Sequence, residues 1–144
     1  MSLKAKLMLV ATVTSVLMGC STDRSPSQVY HEYNSKVIEG ITFDEEKTYY
    51  SKRKLQEIES KMPQYMAQME MSREEVIKNS LKFYRDVVRC KEIKLINETI
   101  SGEVSILEYA QKDICGNTST IQKNQVVRMV RENGWKLDNV EISL

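Results

Sequence analysis

Histidine, glycine and proline are scarce in this chain, with one, five and two copies in 144 residues. The single histidine, His31, has no second imidazole with which to share a metal, and no local motif marks a nucleophile for it, so catalysis through it is not expected. The five glycines form neither GxGxxG nor GxxxxGKS/T, which removes the phosphate-cradling loops. Three cysteines lack any CxxC or Cys/His spacing of a zinc site, and no metal or other cofactor is expected. Charge of one sign is lacking too, with 21 basic against 20 acidic side chains. Without a basic surplus, counterion release gives no strong drive toward nucleic acid. Internal repeats and low-complexity tracts are missing as well.

What is present starts with Lys4 and Lys6 ahead of an uncharged, largely apolar run from Leu7 to Met18. A spanning helix needs roughly 20 apolar residues, so this run is too short, whereas a basic start before a short apolar core is the pattern of a secretory signal. The run closes as Leu17, Met18, Gly19, Cys20, which resembles a bacterial lipobox. The competing reading is a signal anchor with an incidental cysteine. The resemblance implies that residues 1–19 are a lipoprotein signal peptide, that Cys20 is acylated and becomes the first mature residue, and that residues 20–25 tether a domain spanning 26–144. Residue 21 is Ser rather than Asp, which by the same resemblance favours the outer membrane, with the domain facing the periplasm. Two or three acyl chains hold a protein stably, because each buried methylene contributes about 0.8 kcal/mol. Removing residues 1–19 takes two lysines and no acid, leaving 19 basic and 20 acidic side chains in one ordinary-sized domain.

In that compartment disulfides persist, so Cys90 and Cys115 are expected to pair, the alternative being two unpaired buried thiols. Such a bond closes a loop of about 25 residues and stabilises by roughly 3 kcal/mol in the chain-entropy picture.

Helical signals fill the first half of the domain. In "SPSQVYHEYNSKVIEG" Ser25 with Gln28 makes a capping box, Pro26 suits the first turn, Gly40 suits the exit, and Val29, Tyr30, Tyr33 and Val37 share one face. Thr42 with Glu45 opens a second helix in "ITFDEEKTYYSKRKLQEIESKM", with a possible break at Ser51, and Pro63 interrupts the pattern. Ser72 with Glu75 opens the third and strongest, where Ile77, Leu81, Tyr84 and Val88 form a stripe supported by Val76, Phe83 and Val87. Beyond Cys90 the period changes to 2. "EIKLINETI", "EVSILEYAQ", "TIQKNQVVRMVRE" and "WKLDNVEISL" read as strands, with turns at Ser101-Gly102, Gly116-Asn117 and Asn133-Gly134. Three N-terminal helices packed on a bent four-strand antiparallel sheet make an α+β domain.

From about Ser25 to Ile142 the chain resembles the small NTF2-like (cystatin-like) lipoproteins of bacteria, of the DUF4878 type. Three pieces carry the likeness: "SPSQVYHEY", "GITFDEEKTYYS" and "VVRMVRENGWKLDNV". The resemblance implies a cone between sheet and helices that often forms a pocket. Some relatives are isomerases, dehydratases or cyclases with Asp/His or Tyr/Asp groups in it. Here Glu108 and Asp113 are the acids that would face such a cavity, but no acid–base pair is marked around them. Trp135, just past the last turn, reads as packing.

The unusual constellation is "KMPQYMAQMEM", with Met62, Met66, Met69 and Met71. Thioethers suit Cu(I), but no histidine or cysteine joins them, and methionine commonly fills gaps or makes adaptable surfaces. Tyr49, Tyr50 and Tyr65 with Met66 and Met69 are therefore read as a possible partner surface. The "NET" at Asn97 and "NTS" at Asn117 are treated as chance.

The expectation is a lipid-anchored envelope lipoprotein whose non-catalytic NTF2-like domain binds a small ligand or a periplasmic protein. An inhibitor or immunity-type lipoprotein that blocks a periplasmic toxin or enzyme is the alternative. An isomerase-like enzyme ranks third.

Overall fold

The computed structural model describes residues 23–116 and 123–142. Cys20, the signal segment, Asn117 and residues 120–122 of the third strand reading lie outside the described residues.

The first helix, α1, runs Pro26–Glu39 and starts where the sequence places it. Ser25 Oγ accepts from the Gln28 backbone N–H while the Gln28 side chain returns a bond to the Ser25 N–H. It ends at Gly40, whose φ of 108° is left-handed. A Cβ at Gly40 would also meet the Arg85 guanidinium, which would have to shift, but it is the left-handed conformation that calls for glycine there.

Four helices precede the sheet, not three. The region expected to hold one helix contains α2 (Phe43–Lys47), capped by Thr42 with Glu45, and α3 (Lys52–Met69), capped by Ser51. The break at Ser51 has a tertiary cause. Leu137 N–H donates to Tyr49 O at 2.7 Å and Ser51 N–H to Leu137 O at 2.9 Å, so Tyr49–Ser51 leaves the helix and bridges to the last strand in parallel. Pro63, expected to interrupt, lies inside α3. It and Glu59, whose carbonyl loses a donor, are both exposed, so water can replace the missing bond. The fourth helix, α4 (Arg73–Arg89), starts with the Ser72/Glu75 capping box.

Strands β1 (Lys91–Ser101), β2 (Val104–Asp113), β3 (Lys123–Arg131) and β4 (Trp135–Ile142) form an antiparallel meander in sequence order. The β1–β2 register shifts between Leu95 and Asn97, and the β3–β4 register between Arg128 and Met129. Such bulges bend a sheet. The inward rows of β2 and β3 (Leu107 and Tyr109; Val127 and Met129) meet Val29, Tyr30, Tyr33 and Val37 of α1 in the core. Alternation in the strands and 3.6-residue spacing in α1 thus bury each other's apolar face.

The α4 stripe is only partly used. Val76 is buried and Leu81 and Val88 pack against the core, whereas Phe83 and Tyr84 are 65% and 48% exposed. Cys90, the C-cap of α4, is disulfide-bonded to Cys115 just past β2, with Cα atoms 5.0 Å apart. No helix among the described residues is long and apolar enough to cross a membrane.

Candidate functional site

A cavity of about 710 Å³ opens between α1, the C-terminal half of α4 and one end of the sheet. That volume lies within the usual range of small-molecule sites, roughly 300–1,000 Å³. Apolar side chains form most of the wall, with Val87 and Val88 from α4, Ile93 from β1, and Leu137 and Ile142 from β4. Ile38, Phe83, Tyr84, Val140 and Ile142 are exposed large apolar residues of the same lining. Water held against such walls is released by an apolar occupant, so the cavity favours one.

Its buried polar groups belong to Tyr30, Tyr33, Tyr50 and Gln125, while Asn34, Ser35, Lys54, Lys91 and Asn139 line it half-buried. The Tyr30 hydroxyl accepts from the Gln125 amide, and the Tyr109 ring lies 5.5 Å from that of Tyr30. Tyr33 and Tyr50 reach the cavity with their hydroxyls 3.0 Å apart, and both donate to Glu46 Oε1, at 3.1 and 2.7 Å. Burial raises the carboxyl of Glu46 above its ordinary range, against the opposing pull of the two tyrosine bonds. Burial likewise raises Tyr33 and Tyr50, and the neighbouring acid adds to it, so both phenols are neutral donors at physiological pH. Glu46 and Tyr50 also line a second cavity of about 140 Å³ between α3 and α4.

The expected partner surface does not form as one patch. Tyr50 is buried and belongs to the core, because its bridge to Leu137 turns it inward beside Tyr33, which corrects its reading as a surface residue. Tyr49 is half-buried, packs on Tyr33 and donates to Glu32 Oε1 at 2.7 Å. Burial and that bond push its hydroxyl up to about 12. Tyr65 and Met69 are exposed and Met66 half-buried in the C-terminal half of α3, while Met62 is buried. Among the described residues no group of three or more His, Cys, Asp or Glu could hold a metal.

His31 is exposed at the cavity wall. Glu108 and Asp113 are exposed, Glu108 accepting from Asn97 at 3.3 Å and Asp113 from the Cys115 N–H at 2.8 Å. Neither lines the cavity. Trp135 is buried, with the Arg131 guanidinium 5.0 Å above its ring.

Three groups of consequence were not singled out from the sequence. Gln125 is in phase with Val127 and Met129, and Gln111 with Leu107 and Tyr109, so an amide at an inward strand position was the available signal. Glu46 carried no such signal, since it sits in an acidic first turn that reads as exposed. No family model, curated protein or solved structure matches the chain.

Proposed function

We propose that the chain is a lipid-anchored envelope lipoprotein whose NTF2-like domain holds a small apolar ligand in the cavity between helices and sheet, without catalysis of its own. The single observation that carries this is the open cavity of about 710 Å³, apolar over most of its wall and with buried hydroxyl and amide groups at Tyr30, Gln125, Tyr33 and Tyr50. Four helices on a bulged antiparallel meander support the NTF2-like reading. The Leu17-Met18-Gly19-Cys20 end of an apolar run supports the anchor. Tyr33, Tyr50 and Glu46 satisfy one another, which suits a fixed polar wall better than proton transfer to a substrate.

The test has two arms. Metabolic labelling with a radiolabelled fatty acid marks the wild-type protein and not Cys20→Ala if the anchor is real. An environment-sensitive naphthalene dye gains fluorescence on the protein and loses the gain in Val87→Trp if the cavity is the site. Dye binding unchanged by the filled cavity contradicts the ligand reading.

A second reading, an inhibitor or immunity-type partner of a periplasmic protein, is favoured by the exposure of Ile96 and Ile100, 61% and 54%, on the edge strand β1. Unpaired edges with apolar side chains invite a partner strand. Loss of co-purifying protein on Ile96→Lys, with dye binding intact, would favour it.

A further inference from the structure

The start of the domain and the mouth of the cavity lie at opposite ends of the same elements. At the start of α1 the Ser27 N–H and Oγ donate to the two carboxylate oxygens of Glu98, near the end of β1, at 3.2 and 2.8 Å. Asp23 pairs at 2.7 Å with Arg131 at the end of β3, whose N–H donates to Glu103 O in the β1–β2 turn. The cavity belongs to the other end. Its exposed apolar rim includes Ile38 near the end of α1 and Val140 and Ile142 at the end of β4, while Ile93 enters its wall from the start of β1. The strand from Ile93 to Ile100 alone covers roughly 23 Å, and α1 from Ser27 to Ile38 about 17 Å.

Only two residues separate Cys20 from Asp23, a reach of at most about 11 Å. Acyl chains on Cys20 therefore keep the Asp23 end of the domain at the level of the lipid headgroups. That end has apolar side chains of its own. Ile96 and Ile100 are exposed on the edge strand β1, on either side of the Glu98 that receives Ser27. Resting on the proposed anchor at Cys20, we infer that the domain docks on its own bilayer through this stretch of β1, with Ile96 and Ile100 in the headgroup region and the mouth of the cavity held roughly 20 Å away, toward the aqueous phase. A zwitterionic surface is the fitting occupant. Asp23 and Arg131 neutralise one another, and the acids Glu98 and Glu103 at this end oppose an anionic leaflet. Removing two exposed isoleucines from water supplies the attraction. The ligand of the cavity then enters from the aqueous side, not out of the bilayer that carries the anchor.

The experiment is fluorescence quenching on the full processed protein in phosphatidylcholine nanodiscs. A single thiol is introduced for a fluorophore by Ser101→Cys, beside Ile100, or by Glu141→Cys, between two residues of the rim. The acylated Cys20 and the bonded Cys90 and Cys115 leave no other thiol to react. A quencher carried on the lipid headgroup is expected to dim the label at position 101 and spare the one at 141, and a water-soluble quencher to do the reverse. Ile96→Ser with Ile100→Ser is expected to lose most of the headgroup quenching at 101 while naphthalene-dye binding in the cavity is unchanged, which also shows that the variant is folded. Headgroup quenching at 141 as strong as at 101, at neither position, or at 101 despite loss of both isoleucines overturns the docking and leaves the anchor in place. Protection of position 101 from the water-soluble quencher in native envelope vesicles but not in pure lipid shows a protein on the β1 edge instead, and overturns it too. A wild-type protein that carries no acyl chain and leaves the nanodisc as readily as Cys20→Ala overturns the anchor, and the docking with it.

Discussion

Tyr33 and Tyr50, 17 residues apart, meet with their hydroxyls 3.0 Å from one another and share one oxygen of Glu46. The contact joins α1 to the strand-like Tyr49–Ser51 segment, and it places a buried acid directly behind the wall of the large cavity.

The pH dependence of stability follows from the raised carboxyl of Glu46. A folded value above the unfolded one means that the native state holds the proton more tightly, so this contribution is complete below the ordinary glutamate range and fades as pH rises through the folded value. Glu46→Gln keeps a neutral group there at every pH. Its stability relative to wild type, from urea unfolding between pH 4 and pH 8, is therefore expected to improve as pH rises. A difference that stays flat contradicts the buried-acid account.

Asp138 has the opposite sign. It is the extra residue of the β4 bulge, 2% exposed, and burial alone would raise it. Bonds from Arg53, Ser51 and Arg128 overcome that and leave it below the ordinary aspartate range. Its contribution is present above the unfolded value and is lost as pH falls through the folded one. Asp138→Asn is expected to cost about 2 kcal/mol at pH 7, in line with charge-assisted hydrogen bonds, and less at pH 3. An equal cost at both pH values would rule out the carboxylate as the cause.

Reduction of Cys90–Cys115 removes a cross-link spanning 25 residues. Cys90→Ala with Cys115→Ala is expected to lose roughly 3 kcal/mol, read by chemical denaturation, and reductant should then have no further effect. A double variant as stable as the oxidised protein would contradict a stabilising bond.

Gly40→Ala tests the exit of α1. The left-handed φ and the Arg85 guanidinium both oppose a methyl group, and a loss of about 1 kcal/mol or more is expected from the conformation alone. Adding Arg85→Ala should recover part of the loss if the collision matters. No recovery assigns all of it to the backbone.

The local part of this architecture was legible. Ser25, Thr42 and Ser72 cap helices by bonds spanning three residues, and Asn133-Gly134 turns the chain with positive φ at both positions. Such signals need no knowledge of the rest of the chain. Tyr50 was misplaced because its burial depends on Leu137, 87 residues on, and a buried Glu46 in an acidic turn is explained by the hydroxyls of Tyr33 and Tyr50. Pro63 was over-weighted, since a missing helix bond matters little on a wet face. The cavity was expected from resemblance alone. Its walls come from α1, α4 and three strands, a long-range arrangement that no window of sequence contains.

The most direct measurement is photolabelling of the full protein in its own envelope with a diazirine-bearing aliphatic alcohol, mapped by peptide mass spectrometry. The account predicts label in peptides carrying Tyr30–Ile38, Phe83–Val88 or the end of β4, suppressed by Val87→Trp. Label confined to Ile96, Ile100 or Met69, with those peptides bare, would contradict it.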